Sequence, residues 1–202
     1  MPLIAIIDYG LGNFMSIQNA LKKAGANTLI TRKKTDIQRS DALILPGVGA
    51  FKDAMKNFEP ISNEVLNQVQ SGKPLLGICL GLQLLFTEST EGGTYKGLDY
   101  FHGQIIGLPK NLKVPHMGWN KILLVQENPL LADVPNGSFV YFAHSYFPAM
   151  NVSEEVITMT EYGIRFPSTV SRDHVFATQY HPEKSGVTGL RIINNFVKYV
   201  RR

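Results

Sequence analysis

Cysteine and tryptophan are the scarcest residues of this chain, with one of each among 202 residues. A single cysteine excludes an internal disulfide framework and makes a cytoplasmic location the expectation. Long apolar runs are absent too, because none approaches the roughly 20 residues that a membrane-spanning helix needs. The apolar start at 1–7 has no basic flank, so it predicts a first buried strand rather than a signal peptide.

A large excess of charge is also missing. The formal net charge is only +4, and the basic clusters at 32–34 and 201–202 are short and without interleaved aromatic residues. Such clusters are typical of a solvated surface, so neither nucleic acid nor a membrane is expected as a partner.

Motifs for metals and nucleotides are lacking as well. Five histidines are scattered along the chain and give no zinc spacing with the one cysteine, so no metal is expected at His116, His144 or elsewhere. After the first apolar run, Gly10 and Gly12 are followed by Met15, which breaks the G-x-G-x-x-G pattern. A strand-to-helix turn is favoured there over a dinucleotide site, and no cofactor is expected.

What is there is an alternation of apolar and amphipathic segments. The expected strands are 3–7, 28–31, 41–45, 74–78, 104–108, 122–125 and 140–144, with a hairpin that opens at 163–164 and returns near 175–180. The expected helices are 16–24, 51–58, 62–70, 80–88 and 189–200. Strands that alternate with helices predict an α/β fold, and no linker or repeat divides the chain. We therefore expect one domain over residues 1–202, with a mixed, mostly parallel central sheet flanked by helices.

The one cysteine lies at the centre of a G-x-C-x-G sequence at 77–81. An apolar strand leads into Cys79 and a helical run leads out, as in a nucleophile elbow that presents a side chain at the edge of a sheet. The N–H groups at the start of such a helix favour the thiolate form of the sulfur. The alternative is that Cys79 is only a small core residue, which is common for free cysteine.

A thiolate nucleophile needs a base, and the base needs a group that orients it. The sequence His181-Pro182-Glu183 can supply both, because proline holds the preceding residue extended and residues two apart in an extended segment face the same side. The apolar and aromatic run at 175–180 predicts that this pair stands at a strand end. Taken alone, the segment favours a surface turn, and the match with Cys79 reverses that preference in favour of the catalytic interpretation.

Acyl transfer also needs N–H donors for the oxyanion that develops on the attacked carbonyl. One expected donor is the backbone N–H of Leu80, directly after the nucleophile. A second can come from Gly47-Val48-Gly49, which follows a neighbouring strand and whose glycines permit a close approach and rotation of a peptide plane. A simple strand-to-helix turn is the alternative for this segment.

Three segments together resemble the signatures of the class I (triad) glutamine amidotransferases. They are Pro-Gly-Val-Gly-Ala-Phe at 46–51, Gly-Ile-Cys-Leu-Gly-Leu-Gln at 77–83 and His-Pro-Glu-Lys-Ser at 181–185. Three more segments, at 8–13, 114–120 and 141–146, resemble one branch of that family, the glutaminase subunits of imidazole glycerol phosphate synthase. The Pro-His-Met-Gly-Trp-Asn sequence at 115–120 is what selects this branch.

By that resemblance, Cys79 attacks the side-chain amide of L-glutamine, His181 protonates the departing ammonia and Glu183 orients His181. A γ-glutamyl thioester forms on the sulfur, and water then releases glutamate. Val48 matches a strand position whose amide must turn towards the oxyanion, a step that a partner would induce and that would make activity conditional.

The resemblance also implies positions that contact the substrate or a partner. Those matching contacts of the glutamine are Gly49, Gln83, Ser145 and Tyr146. Those matching positions near a docking face are Asn13, Trp119, Tyr141 and Lys184. For Trp119, burial in the core is the alternative, since single tryptophans are usually well buried.

The partner implied by the resemblance is a (β/α)₈-barrel cyclase, which forms a heterodimer with the glutaminase. Ammonia passes through that barrel and reacts with a phosphoribulosyl-aminoimidazole carboxamide intermediate. The products are imidazole glycerol phosphate, for histidine synthesis, and an aminoimidazole carboxamide ribotide, for purines. The alternatives are a glutaminase of another synthase, such as pyridoxal phosphate synthase, a γ-glutamyl hydrolase, or a non-catalytic α/β binding module.

Overall fold

The computed structural model describes residues 1–150 and 153–201. Within these ranges the strands are β1 (Leu3–Ile7), β2 (Asn27–Thr31), β3 (Ala42–Leu45), β4 (Leu75–Ile78), β5 (Phe86–Ser89), β6 (Tyr95–Lys96), β7 (Phe101–Gly107), β8 (His116–Lys121), β9 (Leu123–Leu124), β10 (Phe139–His144), β11 (Tyr146–Ala149), β12 (Val156–Glu161), β13 (Arg165–Arg172) and β14 (Val175–Thr178). The α-helices are α1 (Phe14–Lys23), α2 (Lys34–Arg39), α3 (Phe51–Gln70), α4 (Leu80–Leu84) and α5 (Gly186–Val200), and 3₁₀ turns lie at Pro129–Leu131 and Pro182–Lys184.

The central sheet has eight strands in the order β2-β1-β3-β4-β14-β13-β12-β9. The strands from β2 to β14 pair in parallel, and β13, β12 and β9 continue the sheet antiparallel. A four-stranded sheet, β11-β7-β5-β6, and a two-stranded ribbon, β10-β8, lie beside it. The predicted α/β fold with a mixed, mostly parallel central sheet is therefore confirmed.

Alternate residues of the first strand point into two separate cores. Ile4 and Ile6 belong to the core that α1 and α5 cover, and Ala5 and Ile7 belong to the core that α3 covers. All four are fully buried. A strand covered on both faces loses the polar alternation of a half-exposed strand, which is why these strands are continuous apolar runs in the sequence.

The prediction of two helices at 51–58 and 62–70 is wrong, because a single helix, α3, runs through both. Pro60 lies inside it on the exposed side. The buried stripe continues without a phase change from Phe58 to Ile61 and Val65. Burial of that stripe outweighs the one backbone hydrogen bond that proline removes.

The prediction of a helix from Leu80 to Glu88 is wrong at its end. Helix α4 stops at Leu84, and the chain enters β5 at Phe86, which pairs with β7. Every residue from Leu80 to Phe86 is buried, so no polar face marked the change from helix to strand. The short helix α2 was not predicted at all.

The expected hairpin at Gly163 is only partly correct. Gly163 lies in the turn, with φ of 66°, but the returning strand is β13, which starts at Arg165. The segment that was expected to return, β14, is the next strand along the chain and pairs with β13 on its other edge.

In the described part of the chain, no helix combines the length and the apolar character that crossing a bilayer requires.

Candidate active site

Cys79 lies between β4 and α4 with φ of 54° and ψ of −106°. This conformation is strained for any residue with a side chain, and such strain concentrates at functional sites. Packing leaves no room for a side chain at Gly81 and very little at Gly77. A Cβ on Gly81 would overlap the carbonyl oxygen of Leu45, and one on Gly77 would lie 3.0 Å from the carbonyl oxygen of Gly81. The predicted strand-to-helix turn at Cys79 is therefore confirmed.

The end of β14 brings His181 to the same place. Cys79 N–H donates to the carbonyl oxygen of Thr178 over 2.7 Å, so the two parallel strands end side by side. Three residues later, His181 Nδ1 lies 2.8 Å from Glu183 Oε1, and both side chains are buried, 2% and 1% exposed. The sequence predicted an extended segment at 181–183, and this is only partly correct. A 3₁₀ turn at Pro182–Lys184 brings the Glu183 carboxylate back to the His181 ring.

Opposing effects act on the pKa of His181. Burial by itself lowers the pKa, but interactions with the Cys79 sulfur and with the Glu183 carboxylate outweigh it and raise the pKa to about 10. His181 is therefore held as an imidazolium at neutral pH. Among the described residues, no group makes a well-formed hydrogen bond to its buried Nε2. Since Nδ1 is engaged by Glu183, Nε2 is the nitrogen that can exchange a proton at the sulfur.

A cavity of about 230 Å³ opens beside Cys79. Its lining includes most of the residues that the sequence predicted, namely Val48, Gly49, Cys79, Leu80, Gln83, Ser145 and Tyr146. Gly47 and His181 are buried and are not part of this lining. The cavity is large enough for a small amino-acid-sized ligand and has the Cys79 side chain in its lining.

The segment Gly47-Val48-Gly49 follows β3, next to the elbow. A Cβ on Gly47 would overlap the hydroxyl of Tyr9 and crowd Leu80, so only glycine fits there. Tyr9 is buried and its hydroxyl donates to the carbonyl oxygen of Pro46, which anchors the start of the segment. Beyond it the chain emerges: Val48 is 41% exposed, and Gly49 has φ of 120°. An anchored base with an exposed, glycine-containing end allows a peptide plane to turn.

Two residues in and beside the cavity were missed by the sequence analysis. Gln179 Nε2 lies 3.7 Å from the Cys79 sulfur, and Gln179 Oε1 accepts a hydrogen bond of 3.3 Å from Gln83 Nε2. Glu91 lines the cavity, and its Oε2 accepts the N–H of Phe51 over 2.8 Å. Neither lies in a pattern that marks chemistry, and only the packing of β5 and β14 around the elbow places them here.

The ribbon of β8 and β10 has one buried and one exposed side. The exposed side carries Lys121 and Ala143 and four larger apolar residues, which we call the ribbon face: Met117, Trp119, Phe139 and Tyr141. Trp119 is 55% exposed, so the alternative of a core tryptophan is wrong. Its ring packs edge-on against that of Tyr141, with centroids 6.1 Å apart. Exposed apolar patches are typical of interaction surfaces.

The other two predicted interface residues lie near the ribbon face. Lys184 is exposed on the 3₁₀ turn that contacts β10. Asn13 precedes α1, which packs on the same turn. The backbone N–H of His181 donates to the carbonyl oxygen of Tyr141 over 2.9 Å. The ribbon face and the histidine are therefore linked directly.

The sequence of this chain is similar to those of known proteins along almost its whole length. The family described as glutamine amidotransferase class-I matches residues 5–200. Imidazole glycerol phosphate synthase subunit HisH of Caldanaerobacter subterraneus subsp. tengcongensis is 46% identical over 201 residues, which cover 98% of this chain and 99% of that protein. The chain belongs to the HisH family of class I glutamine amidotransferases. HisH of Methanosarcina acetivorans is 49% identical over 201 residues, covering 98% and 99% of the two chains.

A solved structure described as a glutamine amidotransferase shares the fold. It is 20% identical to this chain, with a TM-score of 0.75 over 98% of this chain and 99% of the other. The family resemblance and the fold class predicted from the sequence are thus both confirmed for this member of the HisH family.

Proposed function

We propose that this chain is the glutaminase subunit of an imidazole glycerol phosphate synthase and supplies ammonia for histidine biosynthesis. The observation that carries the proposal is the strained Cys79 elbow beside the buried His181–Glu183 pair. Membership of the HisH family supports the choice of synthase. We place the reaction in the cytoplasm, which is compatible with one unpaired cysteine.

The first half of the reaction forms a thioester. The Cys79 thiolate attacks the side-chain carbonyl carbon of glutamine, and the carbonyl π electrons move to oxygen to give a tetrahedral oxyanion. His181, held as an imidazolium, donates its Nε2 proton to the nitrogen, which leaves as ammonia. Glu183 keeps the ring oriented and stabilises its positive charge.

The second half regenerates the enzyme. His181 Nε2 now accepts a proton from a water molecule as that water attacks the γ-glutamyl thioester. Collapse of the second tetrahedral intermediate expels the Cys79 thiolate and releases glutamate. The same nitrogen therefore acts as an acid in one half-reaction and as a base in the other.

Two backbone donors would stabilise the oxyanion. The N–H of Leu80 opens helix α4 directly after the nucleophile and has no helical acceptor at that position. The second donor would be an amide at Val48, after a turn of the peptide plane between Gly47 and Gly49. We propose that docking of the partner induces this turn, which would make glutamine hydrolysis depend on the complex.

The cavity is suited to the amino-acid end of glutamine. Glu91 brings a carboxylate to its wall and would attract the α-ammonium group. Gln83, Ser145, Tyr146 and Gly49 surround the same space and would contact the rest of the substrate. Gln83 Nε2 donates to the carbonyl oxygen of Tyr146 over 2.9 Å, which fixes the position of one relative to the other.

The proposed partner is a (β/α)₈-barrel cyclase that forms a heterodimer through the ribbon face. Asn13 and Lys184 would add polar contacts at its border. Ammonia released at Cys79 would enter the barrel and be incorporated as imidazole glycerol phosphate and aminoimidazole carboxamide ribotide form. The direct bond from His181 to Tyr141 supports this placement, because the catalytic histidine then lies directly behind the docked surface.

The proposal is tested by assaying glutamate release by the full chain, alone and with the barrel cyclase. We expect slow turnover alone and a rise of about a hundredfold in the complex, the size of one oxyanion donor. The cyclase should then produce imidazole glycerol phosphate from glutamine. High turnover without a partner would contradict the proposal that docking induces the peptide turn at Gly47–Gly49. Absence of turnover in the complex would refute the glutaminase function.

Replacing Trp119 with alanine should weaken binding of the cyclase. Exposed tryptophans at the centre of an interface typically contribute at least 2 kcal/mol, so the dissociation constant should rise by about thirtyfold. The measurement is isothermal titration calorimetry of the two subunits. Val125→Ala is the matched control, because Val125 is 43% exposed but lies next to β9 at the far edge of the central sheet. Equal affinities of both variants would contradict docking on the ribbon face.

A further inference from the structure

Two histidines with no part in the proposed chemistry lie on the buried side of the ribbon. His116 and His144 are 3% and 5% exposed, and they face each other across β8 and β10. His116 Nδ1 lies 3.0 Å from His144 Nε2. The His116 ring is stacked between Phe142 and Tyr162, with centroid distances of 4.7 and 4.0 Å. Its orientation is therefore fixed by packing on both faces.

The two ends of this pair determine where each proton lies. His144 Nδ1 is 2.9 Å from the carbonyl oxygen of Tyr146, which can only accept, so Nδ1 carries the proton. In a neutral ring, His144 Nε2 is then an acceptor, and His116 Nδ1 must donate to it. That leaves His116 Nε2 as an acceptor, and Asn120 Nδ2 lies 3.3 Å from it.

Asn120 is held in the orientation that this arrangement needs. Its Oδ1 accepts the N–H of Lys121 over 2.8 Å, and its Nδ2 also donates to the carbonyl oxygen of Glu161 over 2.9 Å. Every donor thus meets an acceptor, and the three hydrogen bonds that join Asn120, His116, His144 and Tyr146 all point the same way. Complete satisfaction of this kind makes a buried polar network rigid.

Both rings are neutral at physiological pH. Burial lowers the pKa of His116 to about 4. Burial also lowers the pKa of His144, to about 3, and the nearby His116 and His181 act in the same direction. The network requires neutral rings. If His144 were protonated, its Nε2–H would face the N–H of His116 Nδ1, and neither could accept.

The network ends at the wall of the active-site cavity. The carbonyl oxygen of Tyr146 accepts both His144 Nδ1–H and Gln83 Nε2–H, each over 2.9 Å. Gln83 is bonded in turn to Gln179, whose Nε2 approaches the Cys79 sulfur. A continuous set of hydrogen bonds therefore leads from the strand that carries Trp119 to the nucleophile.

We propose that His116 and His144 are positioning residues that set the Tyr146 carbonyl, and with it the glutamine-contacting wall of the cavity, relative to the ribbon face. The inference rests on the proposed function. A metal or base role does not fit, because the two nitrogens facing each other at 3.0 Å are already joined by one proton. Without the proton that His116 Nδ1 donates, His144 could carry its own proton on Nε2 instead of Nδ1. The lone pair of His144 Nδ1 would then face the carbonyl oxygen of Tyr146.

Two substitutions at position 116 separate the donated proton from the stacked ring. His116→Phe keeps a ring between Phe142 and Tyr162 and removes the donor, whereas His116→Asn removes the ring and keeps an N–H donor at the Nδ1 position. In the complex with the cyclase, we expect His116→Phe to raise KM for glutamine about tenfold, the effect of one buried hydrogen bond, with kcat within about twofold of wild type. His116→Asn should retain a KM close to that of wild type.

A merely structural role would give the opposite order. It predicts normal kcat and KM for His116→Phe, which keeps the ring. For His116→Asn it predicts a smaller fraction of folded protein, and therefore a lower apparent kcat with an unchanged KM. Tyr162→Phe is the control, since it keeps the stack on His116 and removes only a hydroxyl that donates to Lys113. A normal KM for His116→Phe, or a higher KM for His116→Asn than for His116→Phe, would overturn the proposal.

A second measurement tests the histidine network independently of whether the protein hydrolyses glutamine. Imidazole ¹⁵N spectra of the wild-type full chain at pH 7 should show both histidines as neutral Nδ1–H tautomers, and His116→Phe should change the shifts of His144. An Nε2–H tautomer at His144 would refute the network whether or not the protein hydrolyses glutamine. Absence of wild-type turnover with correct tautomers would instead refute the proposed function alone.

Discussion

Replacing Cys79 with alanine should abolish glutamine-dependent synthesis and leave ammonia-dependent synthesis intact. The sulfur is the group that forms the thioester, and no other nucleophilic side chain among those lining the cavity occupies the elbow. Loss of the nucleophile from a catalytic triad typically costs more than about 10⁴-fold in rate. The measurement is formation of imidazole glycerol phosphate by the complex, with glutamine or with an ammonium salt as the nitrogen source.

The ammonium salt is the internal control of this experiment. Cyclisation occurs on the partner in our proposal, so added ammonia should bypass the glutaminase site. The variant should also bind the cyclase as tightly as wild type, because Cys79 is 5% exposed and lies beneath the surface. If both activities disappear while binding is retained, the division of work between two chains is wrong. If glutamine-dependent activity survives, Cys79 is only a core residue.

Replacing Gly81 with alanine should destabilise the fold by at least about 3 kcal/mol, the upper range for overpacking. The added Cβ would overlap the carbonyl oxygen of Leu45, a backbone atom that cannot move without displacing β3. For a chain of 202 residues this corresponds to a fall in Tm of roughly 6 to 12 °C. The measurements are calorimetric Tm and the urea midpoint of the full chain.

Gly107→Ala is the matched control for the glycine substitution. A Cβ on Gly107 would lie 3.5 Å from the ring of Tyr146, an ordinary contact, and its φ is not in the left-handed region. We expect no loss of stability there. Residual Gly81→Ala protein should also have low glutaminase activity, because a displaced β3 carries Gly47–Gly49 with it. A Tm equal to that of the control would mean that the elbow is not packed against β3 as described.

The sequence predicted the local structure well wherever a residue type had one physical explanation. Short continuous apolar runs bounded by turn residues predicted strands covered on both sides, and β1, β3 and β4 are such strands. Glycines on both sides of Cys79 indicated a turn with little room for side chains. The structure explains this at Gly81, where the carbonyl oxygen of Leu45 occupies the space of a Cβ. Local prediction failed where burial was uniform, as at the junction of α4 and β5, because periodicity then carries no signal.

The sequence by itself determined the fold class, the family and the identity of the candidate nucleophile, since these depend on residue types at short spacing. The tertiary structure alone decided how distant segments meet. Pairing of β14 with β4 brings His181 to Cys79, and pairing of β8 with β10 joins His116 to His144. The reason is that strand order and the directions of hydrogen bonds arise from contacts between residues far apart in the chain, which no local pattern encodes.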